Sequence, residues 1–400
     1  MKLGIAFAAA LTLATATGGA QIAVSGNDGK QVRPGDDPPG MRPDTVSVID
    51  LNHYPPKVLA SVNAPASLIG PPDAVAVAPD SSYAIVTCGQ KPDPADPTKL
   101  IPDDTVSVID LSRPKKPRVI QTLAAGSGAS GVSINPAGTI ALVASSHDGA
   151  VTVFSIAHKK LTRVGQVQME QGAGSTDVVF SPDGKRAFVV ERGGNRVAIL
   201  DVDGNKVTYS GQSIITGASP YGMTVTPDGK YGVDTNLGGA LDSSAGGAAP
   251  SPSPGAPHRG QPRPGTITLI DLNTNKVVDS AVVGETPEHV VLSPDGNYLE
   301  VTVANGSAVP VNSPKYNSVH GLMRIFRVSD GKLTEVASTN TGHWCQGATW
   351  SRDGRTILLQ CATEYDIEVY KFDGKTVVQD TSATLKFSSR PGSIATATNQ

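Results

Sequence analysis

The sequence predicts an all-β fold: a seven-bladed β-propeller of four-stranded antiparallel blades, with the ring closed by the N- and C-terminal strands in one shared blade. Three observations predict it. A hairpin phrase recurs six times, a strand phrase recurs seven times, and the two chain ends hold the strands that one hairpin lacks.

The hairpin phrase is clearest as VVFSPDGKRAFVV (178–190), MTVTPDGKYGVDT (223–235) and VVLSPDGNYLEVT (290–302). Looser copies stand at 75–87, 132–144 and 348–360. Pro sets φ near −65°, which suits the first position of a type I turn. Asp favours the turn through side-chain-to-backbone bonds, and Gly takes the left-handed conformation that closes the hairpin. The flanks alternate with the period of a strand. A three-residue hairpin loop is expected, which pairs Ser351 with Arg355.

The strand phrase reads DTVSVIDLN (44–52), DTVSVIDLS (104–112) and GTITLIDLN (265–273), with further copies at 149–157, 195–203, 321–329 and 365–373. A polar turn and one more strand follow each, as in KVVDSAVVG (276–284). Four strands, A to D, in a unit of about 45 residues make a propeller blade. The missing A strand is RPGSIATAT (390–398), and its B strand is GAQIAVSGNDG (19–29). Closing the ring this way leaves no open sheet edge.

Residues 17–400 are thus one domain. Residues 1–16 read as a signal peptide, with an alternative end at 20: Lys2 precedes the apolar run LGIAFAAALTLA and then small residues. The expectation is an exported protein, periplasmic or secreted, that does not span a membrane and is a monomer. A net charge of −3 offers no bulk attraction to nucleic acid or anionic lipid.

The pattern resembles the YVTN-type β-propeller repeat family, through GVDTN, EVTVAN and the two copies of TVSVIDL. The resemblance spans the mature chain. It implies the propeller fold and leaves function open, because relatives include surface-layer repeats, periplasmic binding proteins and lactonase-like enzymes.

Antiparallel blades put A–B and C–D turns on one face and B–C and D–A connections on the other. The long insertions, 30–43, 89–103, 237–264 and 304–320, all fall in B–C loops. Function is therefore expected on the B–C/D–A face, at the mouth of the central channel. The 237–264 insertion is Gly/Pro/Ser-rich and reads as a surface loop or a lid.

The A strands start polar, at Asp73, Ser130, Thr176, Tyr221, Glu288 and Gln346, with Asp177 and His289 one place on. The B strands exit at Glu191, Arg192, Asn236 and Asn305 among others. From these two rings the candidate ligand-binding residues are Asp73, Thr176, Asp177, Glu191, Arg192, Tyr221, Asn236, Glu288, His289, Asn305 and Gln346. Polar residues at strand ends also simply satisfy backbone and solvent. Glu288, His289 and Asp177 are the catalytic candidates, since a carboxylate–His pair could activate water. Neighbours on a regular strand point to opposite sides, so Glu288 and His289 meet only if the backbone is irregular.

His147, His258, His289, His320 and His343 map to the elaborated face, while His53 and His158 map to C–D turns. They match no metal-ligand spacing, so no cofactor is expected; a metal ion would draw on His147, His289, His320 or His343. Cys345 falls opposite Cys361, in a pair of hydrogen-bonded type, where a disulfide is feasible; two reduced thiols are the alternative. Cys88 reads as a small buried residue.

Three functions compete. The first is a ligand-binding or scaffolding propeller of the cell envelope, with a small molecule or an envelope protein as partner. The second is a lactonase-like hydrolase at the channel mouth, against which stands the lack of a GxSxG nucleophile elbow. The third is a metal-binding or redox-partner propeller, although no CxxCH haem motif is present.

Overall fold

The structure is a computed structural model that describes residues 21–33, 35–36, 40–241 and 264–397. The expected signal peptide, His258 and most of the 237–264 insertion lie outside the described residues. Seven antiparallel sheets form the ring, six of four strands and one of five. Blade 1 takes Arg390–Thr396 as its innermost strand, followed outward by Ile22–Asp28, Thr45–Asp50 and Lys57–Asn63. The C-terminal strand therefore pairs with the N-terminal one, Val24 opposite Ala395. Blades 2 to 7 follow in chain order, with innermost strands Val75–Val77, Ala129–Ile134, Ser175–Phe180, Pro220–Val225, Pro287–Leu292 and Cys345–Trp350. Each innermost strand touches the next round the ring, and the last touches blade 1.

The core lies between blades rather than inside one. One cluster joins Ile85 and Val108 of blade 2 to Val132 and Val143 of blade 3; another joins Leu142 and Val153 of blade 3 to Val178 and Val189 of blade 4. The D strands alternate exposed and half-covered residues, as expected for the outer rim. Blade 7 departs from the four-strand plan. Its outer strand is split into Val377–Gln379 and Leu385–Lys386 by a 3-10 turn at Thr381–Ala383.

Local chemistry explains the hairpins. In blade 4 the Ser181 hydroxyl donates to Asp183 and accepts the Arg186 amide, while Asp183 accepts the Lys185 amide. Gly184 has φ +67° and donates its N–H to the Ser181 carbonyl. The same set recurs at Thr226–Asp228, Ser293–Asp295 and Ser351–Asp353. The hydroxyl holds the amide five residues on, so the loop has four residues, not three: the Ser351 amide pairs with Thr356, not with Arg355.

A second irregularity offsets the first. The innermost strands of blades 3 to 7 each carry a one-residue bulge near their start, for example between Pro287 and His289 and between Cys345 and Ala348. In blade 7 the bulge restores the register that the longer loop shifted, and Cys345 stands opposite Cys361. Their sulfurs are bonded, with the Cα atoms 3.9 Å apart. That is the close approach of a non-hydrogen-bonded pair, not the wider hydrogen-bonded pair expected, because the bulge changes the parity.

The 89–103 insertion is not an irregular loop. It extends the blade 2 hairpin, with Tyr83–Pro92 paired to Leu100–Asp110. The innermost strand of the same blade is only three residues long, Val75–Val77, so Asp73 stands outside its ladder and gives its carbonyl to the Val132 amide of blade 3. Among the described residues no helix is long and apolar enough to cross a membrane.

Candidate functional site

Two concavities lie on or under the elaborated face. One is a small cavity in the central channel, of about 40 Å³, which Asp73, Asp177 and His289 line together with Val and Met side chains. The other is a cleft of about 800 Å³ on the B–C/D–A face, off the ring axis, over blades 2 to 5.

In the channel, the His289 Nδ1 accepts the Ala348 N–H at 3.1 Å, and Nε2 lies 3.2 Å from Asp73 Oδ1. Burial opposes charge on the imidazole, and Asp73 outweighs it, raising the pKa. Yet the Ala348 N–H occupies the Nδ1 lone pair, so we read the ring as neutral with its proton on Nε2, donated to Asp73. Asp177 accepts the Val178 amide at 2.7 Å and the Met223 amide at 3.0 Å. Burial first, and then the Asp73 charge, push its pKa well up despite those two amides. These three side chains form a plug whose hydrogen bonds are mostly spent inside the wall.

The cleft is walled by glycine backbone (Gly70, Gly89, Gly128, Gly149), by the D–A loop around Gln168–Gly174, and by His147, Thr176, Arg192 and Tyr221. Thr176 donates its hydroxyl to the Tyr221 carbonyl at 2.8 Å, which ties blade 4 to blade 5. The Arg192 guanidinium lies 5.6 Å from the Tyr221 ring centroid. Glu288 follows one blade further round. Its side chain is buried, which pushes its pKa up to about 7, and Arg192 pulls against that rise. Burial, with the nearby Glu288 charge, also raises the Tyr221 phenol, keeping it protonated.

The other candidates fall elsewhere. Glu191 is fully buried and paired to Arg196, which also holds Glu170 at 2.8 Å. Asn236 is buried in blade 5, where it accepts the Gly217 amide and donates to Thr268. Asn305 has φ +50° and ties its loop to the His320 carbonyl. Gln346 is buried at the blade 7 bulge. Glu288 and His289 sit together in a bulge but share no partner: one faces Arg192 and Tyr221, the other Asp73 and Ala348. They do not form a catalytic pair.

The four candidate metal-ligating histidines do not converge. His147 lines the cleft alone, and His289 has both nitrogens engaged. His343 binds Glu364 through Nδ1 at 2.5 Å and the Tyr316 carbonyl through Nε2 at 2.7 Å, with the His320 ring 5.4 Å away. Among the described residues, the two acidic groupings tight enough for a cation, around Glu368 and around Glu364–Asp366, both need a cysteine that the disulfide has taken.

Sequence reasoning missed the D–A loop of blade 3 to 4. It looked only at strand ends, whereas Gln168, Glu170 and Gln171 come from a connection. The run of small residues in EQGAGS (170–175) was the available signal.

Residues 102–235 match the family model described as lactonase, 7-bladed β-propeller. No curated protein sequence matches the chain. Among solved structures, the periplasmic gluconolactonase of Pseudomonas aeruginosa is 15% identical, with 94% of this chain and 99% of that one covered at TM-score 0.68. A Bacteroides uniformis protein described as a candidate 6-phosphogluconolactonase is 16% identical over 94% and 99%, at TM-score 0.65. Hydrazine synthase of Kuenenia stuttgartiensis is 18% identical over 78% and 79%, at TM-score 0.56. The fold is that of a seven-bladed β-propeller, and residues 102–235 within it are similar to the lactonase model.

Proposed function

We propose that the protein is a lactonase-type hydrolase that opens a cyclic ester in the cleft of blades 2 to 5. One observation carries the reading. The segment that matches the lactonase model is the segment that builds the cleft: all its lining residues except Gln31, Ile69, Gly70, Gly89, Gln90 and Leu100 lie within 102–235.

The chemistry follows from Glu288, Arg192 and Tyr221. Glu288 is buried next to Arg192 and is not itself part of the cleft lining; with a pKa of about 7 it is available as a base at neutral pH to a water that reaches it past Arg192. It takes a proton as water adds to the ester carbonyl. Arg192 and the Tyr221 hydroxyl face the oxygen on which negative charge develops. The ring C–O bond then breaks, the departing oxygen takes the proton from Glu288, and a hydroxy acid leaves. His289 and Asp177 hold the channel closed beneath and take no part.

The test is hydrolysis of a lactone panel followed by pH-stat, against the uncatalysed rate. Glu288→Gln should cut kcat by a factor of about 10² or more, and Arg192→Ala should lower kcat/KM by a similar factor. Lactone turnover that survives Glu288→Gln would remove Glu288 from the mechanism. No turnover with any lactone would leave the second reading, an envelope binding module, which the internal engagement of His289 and Asp177 favours. We also propose an exported location. The signal-like N-terminus, the Cys345–Cys361 bond and the likeness to a periplasmic protein support it.

A further inference from the structure

We infer that the cleft selects an uncharged, polyhydroxylated lactone and discriminates against its phosphorylated counterpart. The inference rests on the hydrolase reading and adds a substrate class to it. The two lactone-related neighbours are described by different substrates, one phosphorylated and one not. Similarity at this level cannot choose between them, but the charges in this cleft can.

A sugar phosphate carries close to two negative charges at neutral pH, and sites that accept it supply several cationic or amide donors together. Here Arg192 is the single Lys or Arg among the residues that line the cleft. Its charge is already directed at Glu288. Arg196, four positions on, is held by Glu191 and Glu170 and lines no part of the cleft. Two carboxylates, Asp148 and Glu170, stand in the wall itself. Among the described residues that line the cleft, two carboxylates stand against one guanidinium, so a phosphate would enter against repulsion.

Hydroxyl groups find a different surface. Gln31, Gln90, Gln168 and Gln171 line the cleft, and each amide can both donate and accept. Gln31 and Gln90 lie within 3.3 Å of each other, so the pair presents a connected edge. The glycine-built walls bring backbone N–H and C=O groups within reach of a ligand, as side chains there would not allow. At Gly128 an added Cβ would fall 2.7 Å from the His147 ring. Such neutral, two-way partners match the hydroxyls of an aldonolactone.

The experiment compares kcat/KM for D-glucono-1,5-lactone and its 6-phosphate at pH 7.5, and repeats the pair with Gln171→Lys. The expected result is at least a ten-fold preference for the neutral lactone. Gln171→Lys, which adds a cation to the exposed rim, should shift that ratio several-fold toward the phosphate. Equal or better turnover of the phosphorylated lactone overturns the inference while the hydrolase reading stands. If neither lactone is turned over, the wider lactone panel decides the hydrolase reading, and calorimetric binding of gluconate and 6-phosphogluconate decides the charge question alone. Tighter binding of the phosphate would then overturn the inference, and tighter binding of gluconate would uphold it.

Discussion

Replacing Glu300 by Gln should stabilise the protein at alkaline pH and do nothing of the kind in acid. Glu300 sits in the B strand of blade 6 with no exposed surface. One carboxylate oxygen accepts the Thr302 hydroxyl at 2.9 Å; the other is buried with no hydrogen-bond partner. Burial raises its pKa from 4.5 to about 7, against a smaller opposing effect of the Thr302 hydroxyl. The folded state thus keeps a proton that the unfolded state has released. Stability from this group is fully present below 4.5 and is lost as pH rises through about 7. At 1.36 kcal/mol per pKa unit, the loss amounts to about 3 kcal/mol. Gln can still accept from Thr302 and never ionises. The stability gain of Glu300→Gln at pH 8 should therefore exceed its gain at pH 4.5 by about 3 kcal/mol. Urea unfolding at both values, followed through the buried Trp350, reads that difference. An effect of the same size at both pH values would refute the argument, since it would mean that Glu300 does not titrate in the folded protein.

Four further outcomes are expected. The pH–rate profile of lactone hydrolysis should lose activity as pH falls through about 7, because protonated Glu288 cannot accept a proton; an acid limb near 4.5 would show an unshifted carboxylate. Gly296→Ala should destabilise more than Gly354→Ala in parallel urea titrations: both glycines have positive φ, but a Cβ at 296 would fall 2.6 Å from Pro227, and one at 354 meets nothing within 4 Å. Arg390→Met should cost roughly 3–5 kcal/mol, because it leaves the Gln31 and Ala362 carbonyls at the ring closure without their donor and takes from half-covered Asp36 its charged partner. Reducing the Cys345–Cys361 bond, which spans 16 positions, should lower stability by about 3 kcal/mol on chain-entropy grounds; an unchanged urea midpoint in reductant would count against that.

The fold was legible because blades 4 to 7 repeat one turn chemistry, and blades 2 and 3 carry looser copies of it. Ser or Thr, Asp and Gly at fixed offsets specify one hairpin with no help from distant residues, and Gly184, Gly229, Gly296 and Gly354 all take the left-handed conformation that the phrase implies. The shared blade was legible for the same reason, since each terminus carries half of a phrase. The site was less so. Glu191 and Asn236 occupy the right strand ends, but Arg196 and Thr268 claim them, and such partners come from register that a single strand does not encode. Thr176, Arg192 and Tyr221 occupy equivalent positions and do line the cleft. Position on the face is thus written in the repeat; engagement is decided by the neighbours.

The bulges show why that limit is physical. Seven inner strands converge on one axis at the elaborated face, and a bulge lets a strand bend and twist away from its partner there. It also breaks the alternation by which successive side chains would be assigned to opposite sides. At Pro287–His289 this break sends His289 into the channel toward Asp73 and leaves Glu288 beside Arg192 and Tyr221. Two adjacent residues therefore serve two different places: His289 lines the channel cavity, and Glu288 lies buried next to Arg192, outside the cleft lining. The pairing of Glu288 with His289 that simple spacing suggests fails for the reason that makes Glu288 available. Its neighbour has been turned inward, and its carboxyl stays within the field of Arg192, which opposes the rise that burial imposes on its pKa.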